Sequence, residues 1–379
     1  MKRALRGLMW VMLSTALVVM APRAFAQRPP ETHPVSEHRD IVMSWDRSAM
    51  PGDVELWAPR TVLGFSTDPS LKYGQLHLTC LSETDRRLGA CATRGRGDSD
   101  AGATGIKLIA IERRSGMTTE ISATAWLQRA MATRRCTGDW RSSQRPIDIA
   151  VLESCLGDPD VGTGAALLLE QGQLNLLTAG QWTSALQLSL QTEIGGPVLA
   201  TYSFSFDFTI TDRNAVAIYF PQFDEIAPHV GMNLRYDPIA RTVGGGTTVD
   251  MCLYDGLGSN AAYLGVTVRD SGARAPGPLG FSAWHRDSGG SGDSERLDYT
   301  VTLDHSGALI PMRNGIEEQL TGIDSAKLKL VLLPGMSQPV FCVHTPLRLE
   351  MPRVPIAEKQ PGYYRGDLKV ELRVPTGVP

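Results

Sequence analysis

The chain has 379 residues and the composition of a folded globular protein, 42% hydrophobic and 20% charged with 38 glycines and 24 prolines, which excludes wholesale disorder and collagen-like order. Its first 26 residues read as an export signal that holds four basic residues and no acidic ones, leaving 33 basic against 40 acidic residues, a charge of −7, on the remaining 353. That acidic balance argues against a general nucleic-acid binder, and the length suggests about two domains.

Lys2, Arg3 and Arg6 begin the signal, residues 8–20 form an apolar core, and Ala24-Phe25-Ala26 ends it with small residues at the two positions that a signal peptidase reads. The core has 13 residues, short of the roughly 20 that a membrane helix needs. The mature protein is expected to be exported and soluble. All six cysteines follow the signal, and an even count in an exported chain points to disulfides.

Beyond residue 60 the pattern is that of strands. Ile106–Ile111 comes first, and Ser122–Ala132 is the best helix candidate. Leu186, Leu188 and Leu190 alternate with polar residues, Gly195-Gly196-Pro197 follows, and Tyr202, Phe204, Phe206, Phe208 and Ile210 then line one face of a second run. This reads as a hairpin of half-buried strands. Thr248–Tyr254, Tyr263–Val268, Leu297–Leu303, Lys327–Leu333, Val340–Leu349 and Leu368–Val374 continue the series, separated by turn-rich stretches such as Gly244-Gly245-Gly246. Many short strands with Gly/Pro punctuation predict an all-β protein built of β-sandwiches. The polar triplet Thr211-Asp212-Arg213 is the expected linker, which divides the chain into a signal (1–26), a first domain (27–210), the linker (211–213) and a second domain (214–379).

Cys80, Cys91, Cys136 and Cys155 precede that boundary, and Cys252 and Cys342 follow it. If no bridge crosses it, Cys252 pairs with Cys342 and three arrangements remain for the other four; the expected one is sequential, Cys80–Cys91 and Cys136–Cys155. No C-x-x-C pair and no H-E-x-x-H spacing occurs, so no metal site or cofactor is expected.

Asp287-Ser288-Gly289-Gly290 resembles the nucleophile loop of trypsin-like proteases, but the upstream histidine beside a cysteine is missing, and His285 lies only three residues from Ser288. A serine nucleophile needs a base and an orienting carboxylate, and a hairpin loop accounts for these glycines more simply. No catalytic residue is assigned. Two Arg-Gly-Asp triplets, 96–98 and 365–367, match an integrin-binding signature, although all three residue types are common in turns.

From Cys80 onward the chain resembles the tip adhesins of class 5 fimbriae, the colonisation-factor type, together with the cable-pilus biogenesis initiator. Val249-Asp-Met-Cys-Leu-Tyr-Asp-Gly256 carries the resemblance most strongly, with Ile218-Tyr-Phe-Pro-Gln-Phe223, Pro339-Val-Phe-Cys342 and Gly362-Tyr-Tyr-Arg-Gly366. The first half is similar more loosely, through Cys80-Leu-Ser82, Gly89-Ala-Cys91, Glu112-Arg-Arg-Ser115, Leu174-x-x-Leu177 and Gly180-x-Trp182. The resemblance implies two immunoglobulin-like β-sandwich domains in tandem: an adhesin domain, then a pilin domain lacking its last strand. It implies a minor tip subunit at the cell surface that is exported through the periplasm and initiates pilus assembly by donor-strand complementation. Expected partners are a periplasmic chaperone, the outer-membrane usher, a major pilin subunit donating a strand, and a host receptor, expected to be a glycan. The groove edges implied are Val216, Ile218 and Phe220 on one side and Leu368, Val370, Leu372 and Val374 on the other.

In one respect the sequence departs from the family. Enterotoxigenic members carry an arginine cluster on the adhesin domain that is implicated in receptor binding; the matching positions here, and so the candidate receptor-binding residues, are Gln75, Thr192 and Glu193, where an acidic glycan loses its cationic partner. Either the receptor differs, the site has moved, or the protein mainly initiates assembly. The alternatives to a tip subunit are a secreted β-rich serine hydrolase using Ser288 and a freestanding secreted carbohydrate-binding protein.

Overall fold

The computed structural model of the protein describes residues 28–375 except 137 and 226, so the signal segment lies outside the described residues. The first half is one nine-stranded sheet. Its seven long strands run in the order Glu37–Asp46, Ala200–Thr211, Gly180–Gln191, Thr104–Glu112, Thr118–Met131, Asp158–Leu169 and Val54–Phe65. The aromatic strand forms the middle of the core: Tyr202, Phe204, Phe206, Phe208 and Ile210 are all buried, and its hairpin register sets Leu188 opposite Tyr202 and Leu186 opposite Phe204. The sheet folds over on itself. Trp57, near one end of the sheet, meets Tyr202 and Phe204 edge-on at 5.0 and 5.4 Å, and Arg39 on the opposite end strand donates to the carbonyl of Leu56 at 2.8 Å.

Ser122–Ala132 is not helical: residues 118–131 form a strand. Ile121, Ala123, Ala125 and Leu127 are fully buried, and the intervening residues face outward, a period of two. Alanine's helix propensity hid this pattern, and pairing on both sides of the strand overrides it.

The second half is built from three sheets. One holds Ala217–Tyr219, Cys252–Tyr254, Val340–His344 and Leu328–Val331 in that order. A larger one runs Arg235–Asp237, Thr242–Val249, Leu347–Pro355, Arg296–His305, Phe281–His285 and Tyr364–Arg365, and a third sets Leu264–Asp270 between Glu317–Leu320 and Leu368–Arg373. Leu253, Leu264, Val266, Phe281, Val301, Leu303 and Val343 are buried in their common core. Two predicted strands, 248–254 and 340–349, each break in the middle and pass from one sheet to another. The breaks are tied together where Thr345 donates its N–H to Met251 O at 2.8 Å.

The halves meet tightly. Gly256 and Gly258 adopt positive φ (67° and 69°) in a turn whose amides at Leu257, Ser259 and Ala261 are all held by the Asp255 carboxylate. Added Cβ atoms there would stand 2.2 Å from Asp212 O and 2.5 Å from Gly180 Cα, so both conformation and space require glycine. Across the same junction Arg114 of the first half donates to Ile323 O and Ala326 O of the second, at 3.0 and 2.8 Å.

Candidate functional site

Two strands of the second half are edges facing a common opening. Among the described residues Ala217–Tyr219 pairs only with Cys252–Tyr254, and Leu368–Arg373 only with Leu264–Asp270. Each therefore has a free row of backbone N–H and C=O groups on its other side, the condition that invites strand addition. A cleft of about 1590 Å³ lies between them.

The cleft has an apolar floor and flanks. Val249, Leu347, Leu349 and Tyr299 come from the larger sheet, and Phe223, Val230 and Met232 come from the irregular stretches 221–225 and 227–234. Ile218, Phe220 and Val370 line it and are only partly buried, although they pack against the second core. Partly exposed apolar side chains gathered along one cleft are the kind of patch that marks an interaction site.

The structure brings Val216, Ile218, Phe220, Leu368 and Val370 to this cleft. Leu372 and Val374 lie farther along the same edge and pack on the same core outside the lining. The sequence did not single out Val230 and Met232; they sit in a segment without strand periodicity, and no sequence signal marks them.

At the end nearest the first domain the cleft reaches Arg47 and Thr178. Arg47 lies 3.5 Å from Asp212, whose carboxyl burial pushes above its ordinary range, the arginine opposing that rise. Tyr254 is buried beside this pair with its hydroxyl unpartnered, and burial raises that group too. At the other end Arg286 stands over the ring of the exposed Tyr363, 5.2 Å from its centre.

The three disulfides join Cys80 to Cys91, Cys136 to Cys155 and Cys252 to Cys342, with no free cysteine. The last ties the two inner strands of the four-stranded sheet beside the cleft.

Gln75, Thr192 and Glu193 converge at one end of the first domain. Gln75 Nε2 donates to Thr192 O at 3.0 Å, and Glu193 pairs with Lys72 at 2.6 Å. The neighbouring hairpin tip exposes Ile194, Val198 and Leu199. Arg96 of the first Arg-Gly-Asp triplet is held by Asp98, Asp100 and Asp148 at 2.6–2.8 Å, and Arg365 of the second lies 3.4 Å from its own Asp367. Neither triplet presents a free arginine.

Ser288 has no base. The Nδ1 of His285 accepts from the main-chain N–H groups of Asp287 and Ser288, its Nε2 lies 3.1 Å from Pro361 O, and the Ser288 hydroxyl is buried without a partner. Ser203, His38 and Asp40 do form a hydrogen-bonded row, at 2.8 and 3.1 Å. That row lies open to solvent on the outer face of the first sheet. Among the described residues no group of three or more metal-ligating side chains occurs.

A folded-over sheet followed by a second set of sheets with a cleft along one side defines a two-domain β protein. The chain belongs to the CfaE family of CFA/I fimbrial proteins: residues 22–213 match the first domain of that family and residues 216–376 match the second. It is similar to the CFA/I fimbrial protein CfaE of Escherichia coli, at 27% identity over 317 residues, 79% of this chain and 80% of that protein. Its fold is that of the adhesive subunit of the CFA/I fimbria of enterotoxigenic Escherichia coli, with a TM-score of 0.67, 22% identity, and coverage of 92% of this chain and 95% of the other. A structure described as a chaperone–tip adhesin complex vital for CFA/I fimbriae biogenesis aligns equally well, with a TM-score of 0.67, 22% identity, and coverage of 92% of this chain and 99% of that one.

Proposed function

We propose that the chain is a minor fimbrial tip subunit that initiates pilus assembly by accepting a β-strand from a partner and mediates adhesion through its first domain. One observation supports this most directly: two unpaired strand edges, at Ala217–Tyr219 and Leu368–Arg373, flank one apolar cleft. A strand laid between them hydrogen-bonds to both edges and buries alternate side chains on the floor. Four or five such side chains at about 1.5–3 kcal/mol each give a gross gain comparable to the stability of a whole domain, about 5–15 kcal/mol. The chain without a partner is accordingly marginal.

The partners follow from that need. A periplasmic chaperone fills the cleft after export, the outer-membrane usher is where it is exchanged, and a major pilin subunit supplies the permanent strand. The protein then stands at the fimbrial tip on the cell surface. Kinship to a fimbrial subunit and the chaperone–adhesin complex of a protein with this fold support this order. On this reading residues 1–26 are removed, 27–210 form the adhesin domain, 211–213 the linker and 214–379 the pilin domain. The receptor face is assigned to the end carrying Gln75, Thr192 and Glu193, where the Glu193 carboxylate is already paired with Lys72. The receptor is a glycan bound without a cationic clamp. No catalysis is assigned.

Co-expression with the cognate chaperone tests the reading. Capture of the mature chain in a one-to-one complex, lost when the cleft is filled by a tethered donor strand, is expected. A chain that folds alone and ignores both chaperone and donor contradicts it.

A further inference from the structure

On the opposite face of the sheet that floors the cleft lies a second concavity, a trough of about 660 Å³ over Thr242–Val249 and Leu347–Pro355. Its base is bare because three consecutive residues, Gly244, Gly245 and Gly246, carry no side chains. Added Cβ atoms there would stand 2.9 Å from the Arg353 side chain, 2.5 Å from Asn233 O and 2.7 Å from Leu349 O, so close backbone packing keeps the base bare.

Arginines stand at both ends. Arg235 is opposite Gly244 on the neighbouring strand, with Arg353 on the other side of that glycine, and Arg348 is opposite Thr248. Gly244 and Thr248 are four positions apart, about 13 Å along a strand. Glu350 sits between, opposite Gly246. All four charged side chains are exposed. Arg353 lies 3.8 Å from Asp237, whereas Arg235 and Arg348 have no carboxylate partner among the described residues. Arginines elsewhere are commonly tied, as Arg96, Arg113, Arg141 and Arg373 are.

We propose that this trough binds an acidic polysaccharide, laid along the strands with its anionic groups on the two arginine ends. Arginine offers a planar fork to sulfate or carboxylate. Thr248, registered against Arg348, lines the trough and supplies a hydroxyl suited to sugar, and the apolar neighbours Leu349 and Met351 are buried, so an acidic peptide finds no pocket for apolar side chains. The site belongs to the second domain and is separate from both the strand cleft and the proposed receptor face. Glu350 opposes binding at mid-trough and sets the sign of one variant.

The test is titration of the mature chain, complemented with its donor strand, with heparin, hyaluronan and uncharged dextran at low and at raised salt. Heparin reports sulfate and hyaluronan carboxylate. Saturable binding of at least one acidic polymer and none of dextran is expected. Arg235→Ala/Arg348→Ala should weaken it about tenfold or more, and Glu350→Gln should tighten it, a gain that misfolding cannot produce. Arg94→Ala/Arg135→Ala changes net charge equally in the first domain and should leave binding unaltered. Binding to neither acidic polymer, an equal loss in both double variants, or no gain from Glu350→Gln overturns the proposal.

Discussion

Ile218 and Val370 line the same cleft from its two edges, each on a strand that among the described residues is paired on one side only, Ile218 to the strand of Leu253 and Val370 to that of Val268. Both are half in water yet pack on the buried core of the second domain. Val370→Asp sets a carboxylate where a donor side chain must be buried, and an unpaired buried charge costs several kcal/mol. Chaperone capture should fall about a hundredfold or more in a pull-down, while Val42→Asp, on the exposed face of the first domain, should leave it unchanged.

The three disulfides differ in what they close. Cys252–Cys342 spans 90 residues and Cys80–Cys91 spans 11. The chain-entropy relation assigns about 4.6 kcal/mol to the first loop and about 2.8 to the second. Replacing Cys252 and Cys342 by alanine should lower the urea midpoint of the complemented protein more than replacing Cys80 and Cys91.

His77 is fully buried with Nε2 unpartnered, and the backbone of Gly95 presses on its ring, an added Cβ falling 2.4 Å from Nε2. Burial lowers its pKa below the ordinary 6.5, with Arg129 adding to the fall and Asp148 and the contacts to Gln75 and Gln191 opposing it. The folded state prefers the neutral ring, so its stability is whole above about pH 6.5 and declines as pH falls below that, by at most about 1.4 kcal/mol per pH unit until the folded pKa is passed. Hydrogen exchange at the amides of Arg96 and Ala150, which hold the 94–100 loop, should accelerate between pH 7 and 5 beyond its intrinsic change in the native protein and not in His77→Phe.

Arg114 spans the junction with two hydrogen bonds to main-chain carbonyls. A charge-assisted bond contributes about 1.5–3 kcal/mol. Arg114→Ala should increase proteolytic nicking at residues 211–213 severalfold while changing the melting of either half little, as followed by limited digestion.

The alternation Tyr202–Ile210 was legible because every second side chain is large and buried. The strand at 118–131 was not, because its inward residues include Ala123 and Ala125, whose small size gives little amphipathic contrast. The strand Glu37–Asp46 sends Ile41, Met43 and Trp45 inward, but its parallel pairing with Ala200–Thr211 depends on residues more than 150 positions away, beyond any local pattern. Of the cleft, the two edges were named only through family likeness; its flank at Val230 and Met232 comes from irregular backbone that no periodicity encodes. Arg129 shows the same limit: it is buried and donates to Leu76 O, Ile149 O and Thr163 Oγ1, with burial pushing it down to about 10, and nothing in its neighbours along the chain sets it apart from a surface arginine.

The most direct measurement is thermal unfolding of the purified mature chain with and without a synthetic peptide copying the amino-terminal extension of the cognate major pilin. A low, broad transition for the chain alone, rising by ten degrees or more with the peptide (about 2.5–5 kcal/mol or more for a domain of this size), is what an open second sandwich requires. A sharp transition for the chain alone that the peptide leaves in place would mean that the fold is already closed.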